Sequence, residues 1–129
     1  MISVDLARQL LGAGVLWQPE PGDRFVIDKE GLTGEVFWVS DLTIELHHWG
    51  DTSVLGFNGT TEWALDSVDL DQALWLPRED QLRELLGDRL DTLRRDDVGW
   101  RVRLTSGAET TDTDVENTYA RALLAAVTP

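Results

Sequence analysis

The sequence predicts an α+β fold. An antiparallel, strongly twisted sheet, made of a meander and a C-terminal hairpin, carries about three helices on one face. The expected order is α, three to five β, α, ββ, α. Three observations predict it. Apolar residues recur at helical spacing in three stretches, near 3–12, 77–87 and 113–127. Residues 24–66 break into short runs rich in Phe, Val, Ile, Trp and Thr, separated by Gly, Asn and Asp. Near residue 100, Trp100, Val102 and Leu104 alternate with Arg101 and Arg103. At 129 residues the chain is expected to form one domain, 1–129.

The elements follow in order. Residues 3–12, SVDLARQLLG, predict a helix: Ser3 can cap it, Asp5 suits its first turn, and Leu6, Ala7, Leu10 and Leu11 form one stripe. Gly12 or Gly14 can end it. Pro19 and Pro21 then forbid regular structure in a stiff connection at 17–23. Candidate strands are 24–28, 35–40, 43–49, 53–57 and 61–66. For the last two, a three-residue Phe57-Asn58-Gly59 loop would bring Leu55, Trp63 and Leu65 to one face, the register a buried face selects. Residues 66–72 read as an acidic connection.

Pro77 is expected at the first helical position, with Glu79 and Asp80 at the positive end of the helix. Leu82, Leu85 and Leu86 form its stripe, Glu79 can pair with Arg83, and Gly87 can stop it. Residues 88–95 fit either a continued helix through Leu86, Leu90 and Leu93, or a strand paired with 100–105 across Asp96–Gly99; the hairpin is favoured. Thr113 and Glu116 have capping-box spacing. Val115, Tyr119, Ala122, Leu123 and Ala126 then line one face of a closing helix that runs to about Val127.

Composition narrows the function classes. The absence of cysteine excludes disulfides, thiol nucleophiles and cysteine-ligated metals. Acidic residues number 24 against 11 basic ones, a formal charge of −13, so a nucleic-acid partner would be repelled and none is expected. No apolar run approaches the ~18 residues of a membrane span, and MISVDLARQL has no basic n-region. The expectation is a cytoplasmic protein with no membrane partner.

Chemistry-bearing residues are sparse. His47 and His48 are adjacent in TIELHHWGD, and successive strand residues point to opposite faces, so the two cannot chelate one ion together. Glu45 and His47 share a face, but a zinc site needs at least three protein ligands. The serines lack a nucleophile-elbow context. Asp66, Asp69 and Asp71 lack the glycine and terminal glutamate of a calcium loop. No catalytic residue, metal or cofactor is therefore expected. The six tryptophans are the more unusual feature. Six buried indoles need six N–H partners, so some are expected at the rim of a groove. The candidate groove is Trp49, Trp63 and Trp75 with His47 and Glu45.

GFNGTTEWALDS followed by LWLPREDQLRELL resembles a family of small, mostly actinobacterial proteins of unassigned activity, some of which carry a pilus-assembly label. The chain has no Gly-Lys-Ser/Thr, so the resemblance implies no P-loop ATPase and transfers no catalytic residues. The element order, size and acidity are similar to those of type III secretion chaperones, at the level of fold analogy. The resulting expectation is a non-enzymatic protein-binding or accessory module whose partner is a protein, with a homodimer also open. The alternative is a small-molecule binder or enzyme with a Trp-lined pocket near Glu45 and His47.

Overall fold

A computed structural model describes residues 1–40, 44–49, 52–57 and 67–129, with the side chains of 44–57 and 67–68 outside the description. The fold is α+β. Contacts gather into two compact units: residues 1–16 with 76–129, and residues 17–75.

The first unit begins with α1 (Val4–Gly12). Ser3 is extended, and its Oγ accepts the Leu6 N–H at 3.2 Å, satisfying one of the donors a helix start leaves open. Leu6, Ala7 and Leu10 are buried, whereas Leu11, at the rim of the stripe, is exposed.

The second helix, α2 (Glu79–Leu86), starts later than the position of Pro77 suggests. Arg78 is the extended N-cap, and its N–H donates to Gln81 Oε1 at 2.9 Å. That bond from the N-cap N–H to Gln81 places Pro77 outside the helix, where it is buried. Gly87, at φ +56, ends α2 and turns the chain out of helical geometry. The stretch that follows is strand from Leu90 to Asp96 instead of a continued helix.

Three antiparallel strands complete the sheet of this unit: β7 (Leu90–Asp96), β8 (Gly99–Leu104) and β9 (Glu109–Asp112), in spatial order β7-β8-β9. The β7–β8 turn is tight, and Asp96 Oδ1 accepts the Val98 N–H at 3.0 Å. β9 was not anticipated: its sequence, ETTD, has no apolar alternation to announce a strand.

The closing helix, α3 (Val115–Val127), is capped by Asp114 rather than Thr113. Asp114 Oδ1 accepts the Asn117 N–H at 3.0 Å, a charged acceptor at the positive helix end. Glu116 is thereby freed from the expected capping box. Its carboxylate instead accepts the Ile2 N–H at 3.0 Å and the Glu79 N–H at 3.2 Å, tying the starts of α1 and α2 to α3.

α3 lies on β8 and β9, and α1 and α2 pack against α3. The core between the layers holds Val102, Leu104, Tyr119, Ala122 and Leu123 with Leu6, Leu10, Leu82 and Leu86. Thr118 is fully buried among them. Its hydroxyl donates to the Asp114 carbonyl at 2.9 Å, and its own carbonyl accepts the Thr110 hydroxyl at 2.9 Å, joining α3 to β9.

The second unit is all β among its described residues, apart from one 3-10 turn at Leu70–Gln72. Its strands are β1 (Arg24–Ile27), β2 (Val36–Trp38), β3 (Ile44–Trp49), β4 (Thr52–Phe57), β5 (Ser67–Asp69) and β6 (Ala73–Trp75). They form two antiparallel three-stranded sheets, β2-β1-β6 and β3-β4-β5. Several features differ from expectation, among them β6, which no candidate strand covered. The strands belong to separate three-stranded sheets instead of one continuous sheet, and the acidic stretch at 66–72 contains β5. The residues of the expected strand 61–66 lie outside the described ones. The expected Leu55 register is replaced: Leu55 pairs with Leu46 on one side and Val68 on the other, so both edges of β4 there are occupied. Phe25, Val39 and Ala73 form a core cluster, flanked by Trp17, Ile27, Phe37 and Leu70.

Candidate functional site

Of the groove proposed from sequence, Trp63 and the side chains of Glu45, His47 and Trp49 lie outside the described residues. Their backbones in β3 pair regularly with β4: Glu45 with Gly56, His47 with Val54, Trp49 with Thr52. Among the described residues, no group of three His, Asp or Glu side chains is placed to hold a metal ion. No helix among them is long and apolar enough to cross a membrane.

Trp75 is the one groove residue whose side chain is described. It sits on β6, opposite Phe25 of β1. The Trp17 ring stacks on it at 6.5 Å and 7°. Trp17 also meets Phe25 at 5.6 Å, and Phe25 meets Phe37 at 5.6 Å, so the aromatic rings form one run along the β2-β1-β6 sheet. The two indoles differ in their polar ends. Trp17 Nε1 donates to Asp23 Oδ2 at 2.9 Å, and Asp23 is itself buried. Trp75 Nε1 is buried and finds no hydrogen-bond partner among the described residues. Trp38, on the edge strand β2, is half exposed, and the Arg24 guanidinium lies 5.8 Å from its ring centre.

The C-terminal sheet offers a different kind of surface. Register fixes its two faces. Trp100, Val102 and Leu104, with Leu93 and Leu90 opposite them, belong to the face that α3 covers. Arg101 and Arg103, opposite Arg94 and Thr92 on β7 and Thr111 and Glu109 on β9, belong to the other face. There a groove of about 290 Å³ is lined by Asp91, Thr92, Arg94, Arg101, Arg103 and Glu109, together with Leu93.

Charges on this face are mostly fixed. Arg101 donates through Nε to Asp96 at 3.1 Å and through Nη1 to Glu109 at 3.0 Å. These bonds raise its pKa further, the Asp96 bond most, and hold the guanidinium across the sheet. Arg103 lies 3.6 Å from Asp91. Arg94 is exposed and carries no ion pair among the described residues. It stands directly opposite Arg101, a like-charge pairing that a sheet tolerates at a cost. Three arginines against two carboxylates in the groove lining stand out in a chain of charge −13.

None of these arginines figured in the groove read from sequence. The signal was present in the alternation of Arg101 and Arg103 with apolar residues, and in the Arg94-Arg95 pair of a chain with only 11 basic residues. What sequence could not supply was β9, whose Glu109 completes the face. No family model, curated protein or solved structure matches this chain.

Proposed function

We propose that the chain is a non-enzymatic protein-binding or accessory module of the bacterial cytoplasm. The observation that supports this most is the open side of the C-terminal sheet. α3 covers one face, while within this unit no described element covers the other face or the outer edge of β7. β7 is seven residues long, and the backbone groups along such an edge are a template for another strand. The acidity of the chain supports a protein partner over a nucleic acid. A photo-crosslinking residue in place of Thr92, on the open face, should trap a partner in the host. The same residue in place of Arg8 on α1 should not. Equal or absent adducts at both positions contradict the reading, and adduct mass separates a second copy of this chain from a different protein.

A second reading, a small-molecule site near Glu45 and His47, draws on Trp75. A buried indole N–H without a partner among the described residues is costly, and a ligand acceptor would relieve it. A thermal-shift screen of metabolites tests this, since a saturating ligand raises the midpoint. A uniformly flat screen would count against it.

A further inference from the structure

We propose that the outer edge of β7 accepts an extended acidic segment of a partner protein as an added strand, with Arg94 as its side-chain anchor. The inference rests on the binding-module reading and names the partner chemistry. Three observations support it. The β7 edge is the longest strand edge of its sheet, and pairing with β8 occupies only its other side. Residues on this edge alternate Thr92 and Arg94 toward the open face, so an antiparallel segment would present every second side chain to them. Arg94 is exposed and, among the described residues, lacks an ion pair, whereas its neighbours Arg101 and Arg103 are held by Asp96, Glu109 and Asp91.

The Arg94–Arg101 opposition also has a direction. Two guanidiniums facing each other across a ladder repel, and a carboxylate of the added strand, beside Arg94 on the side away from β8, offsets that repulsion and forms a charge-assisted bond to Arg94. The bland alternative is that Arg94 only guards the edge against aggregation. The two differ in what an acidic strand does. The chain's overall negative charge repels acidic ligands at long range, so a short segment with alternating carboxylates fits better than a polyanion.

The test is a calorimetric and amide-NMR titration of the full chain with two peptides, acetyl-(Thr-Glu)4-amide and acetyl-(Thr-Gln)4-amide. The acidic peptide should bind at least about tenfold tighter than the neutral one and shift amides of 90–96. Arg94→Gln should weaken it by about tenfold, while Arg94→Lys should retain part of the affinity. Lys29→Gln, which removes one positive charge in the other unit, should leave binding unchanged. Arg94→Gln should fold with an unchanged or higher thermal midpoint, because it relieves a like-charge pair. Equal binding of the two peptides, binding indifferent to Arg94→Gln, or no binding would each overturn the proposal. So would sodium acetate competing at the peptide's own concentration, which would indicate a site for free carboxylates. A partner trapped through Thr92 without acidic-peptide binding would overturn the acidic chemistry while leaving the module reading intact.

Discussion

Adding one methyl group at Gly99 probes the close approach of β8 and β9 that builds the open face. Gly99 sits at φ +138, a conformation L side chains rarely adopt. A Cβ there would lie 2.5 Å from the Asp112 carbonyl oxygen and 2.8 Å from Thr113 Cα. Both are backbone atoms, so no side-chain rotation relieves the clash, and β9 must shift. Backbone strain of this kind costs about 1–3 kcal/mol, and overpacking a further ~1–3 kcal/mol. Gly99→Ala should therefore lose about 3–4 kcal/mol, a fall of roughly 10–15 °C in midpoint for a chain of this length.

Two other glycines isolate the contributions. Gly107 has φ +93 but open space around its Cβ position, so Gly107→Ala should cost only the strain, about 1 kcal/mol. Gly12 has neither a positive φ nor a neighbour, so Gly12→Ala should be neutral or stabilising by up to ~1 kcal/mol. Urea unfolding followed by far-UV circular dichroism measures all three. A Gly99→Ala variant within about 1 kcal/mol of Gly107→Ala would refute the packing of β9 against β8 described above.

Trp17→Phe and Trp75→Phe both shrink an aromatic ring in the same run, but only the first removes a hydrogen bond to buried Asp23. Trp17→Phe should be the more destabilising by about 1.5–3 kcal/mol in urea titrations, and equal losses would sink the assignment of the two indoles. The Asp112 carboxyl is pushed up by burial, but bonds from the Asp114 N–H, Arg121 and Asn117 hold it below its ordinary 3.8. Its folded pKa is the lower one, so its stabilisation is complete above the unfolded value and lost as pH falls through the folded one. Stability should thus decline below about pH 4, and Asp112→Asn should flatten that decline; identical pH profiles would argue against it. Tyr119, the only tyrosine, has its phenol pushed above 10, first by burial and then by the Glu79 charge. Phenolate absorbance should appear above pH 10, with the associated stability present below the unfolded pKa and lost as pH rises through the folded one. A normal tyrosine titration in the folded chain would contradict its burial.

Legibility in the sequence tracked element length and periodicity. α1, α2 and α3 were visible because their leucines and alanines repeat over two or more turns. The β7–β8 hairpin was visible because Val102 and Leu104 alternate with arginines. Pro77 misplaced the start of α2 because Gln81 reaches back to the Arg78 N–H; the spacing is that of a capping box, but arginine is not a residue type that announces an N-cap. Similarly, Glu116 suggested a capping box with Thr113, yet its carboxylate is taken by Ile2 and Glu79, which lie 114 and 37 residues away in sequence. β5, β6 and β9 have three or four residues each, too few for a period to emerge. The arginine face depends on β9, and the ETTD sequence of that strand has no apolar alternation to announce it. Of the predicted groove, the structure describes the Trp75 side chain alone.

The most direct test of β7 as a docking edge is amide hydrogen exchange on the chain bound to the partner trapped through Thr92. Added-strand pairing predicts slowed exchange across 90–96, with 109–112 on the opposite edge of the sheet unchanged. Protection confined to 109–112, or none in the C-terminal sheet, would contradict it.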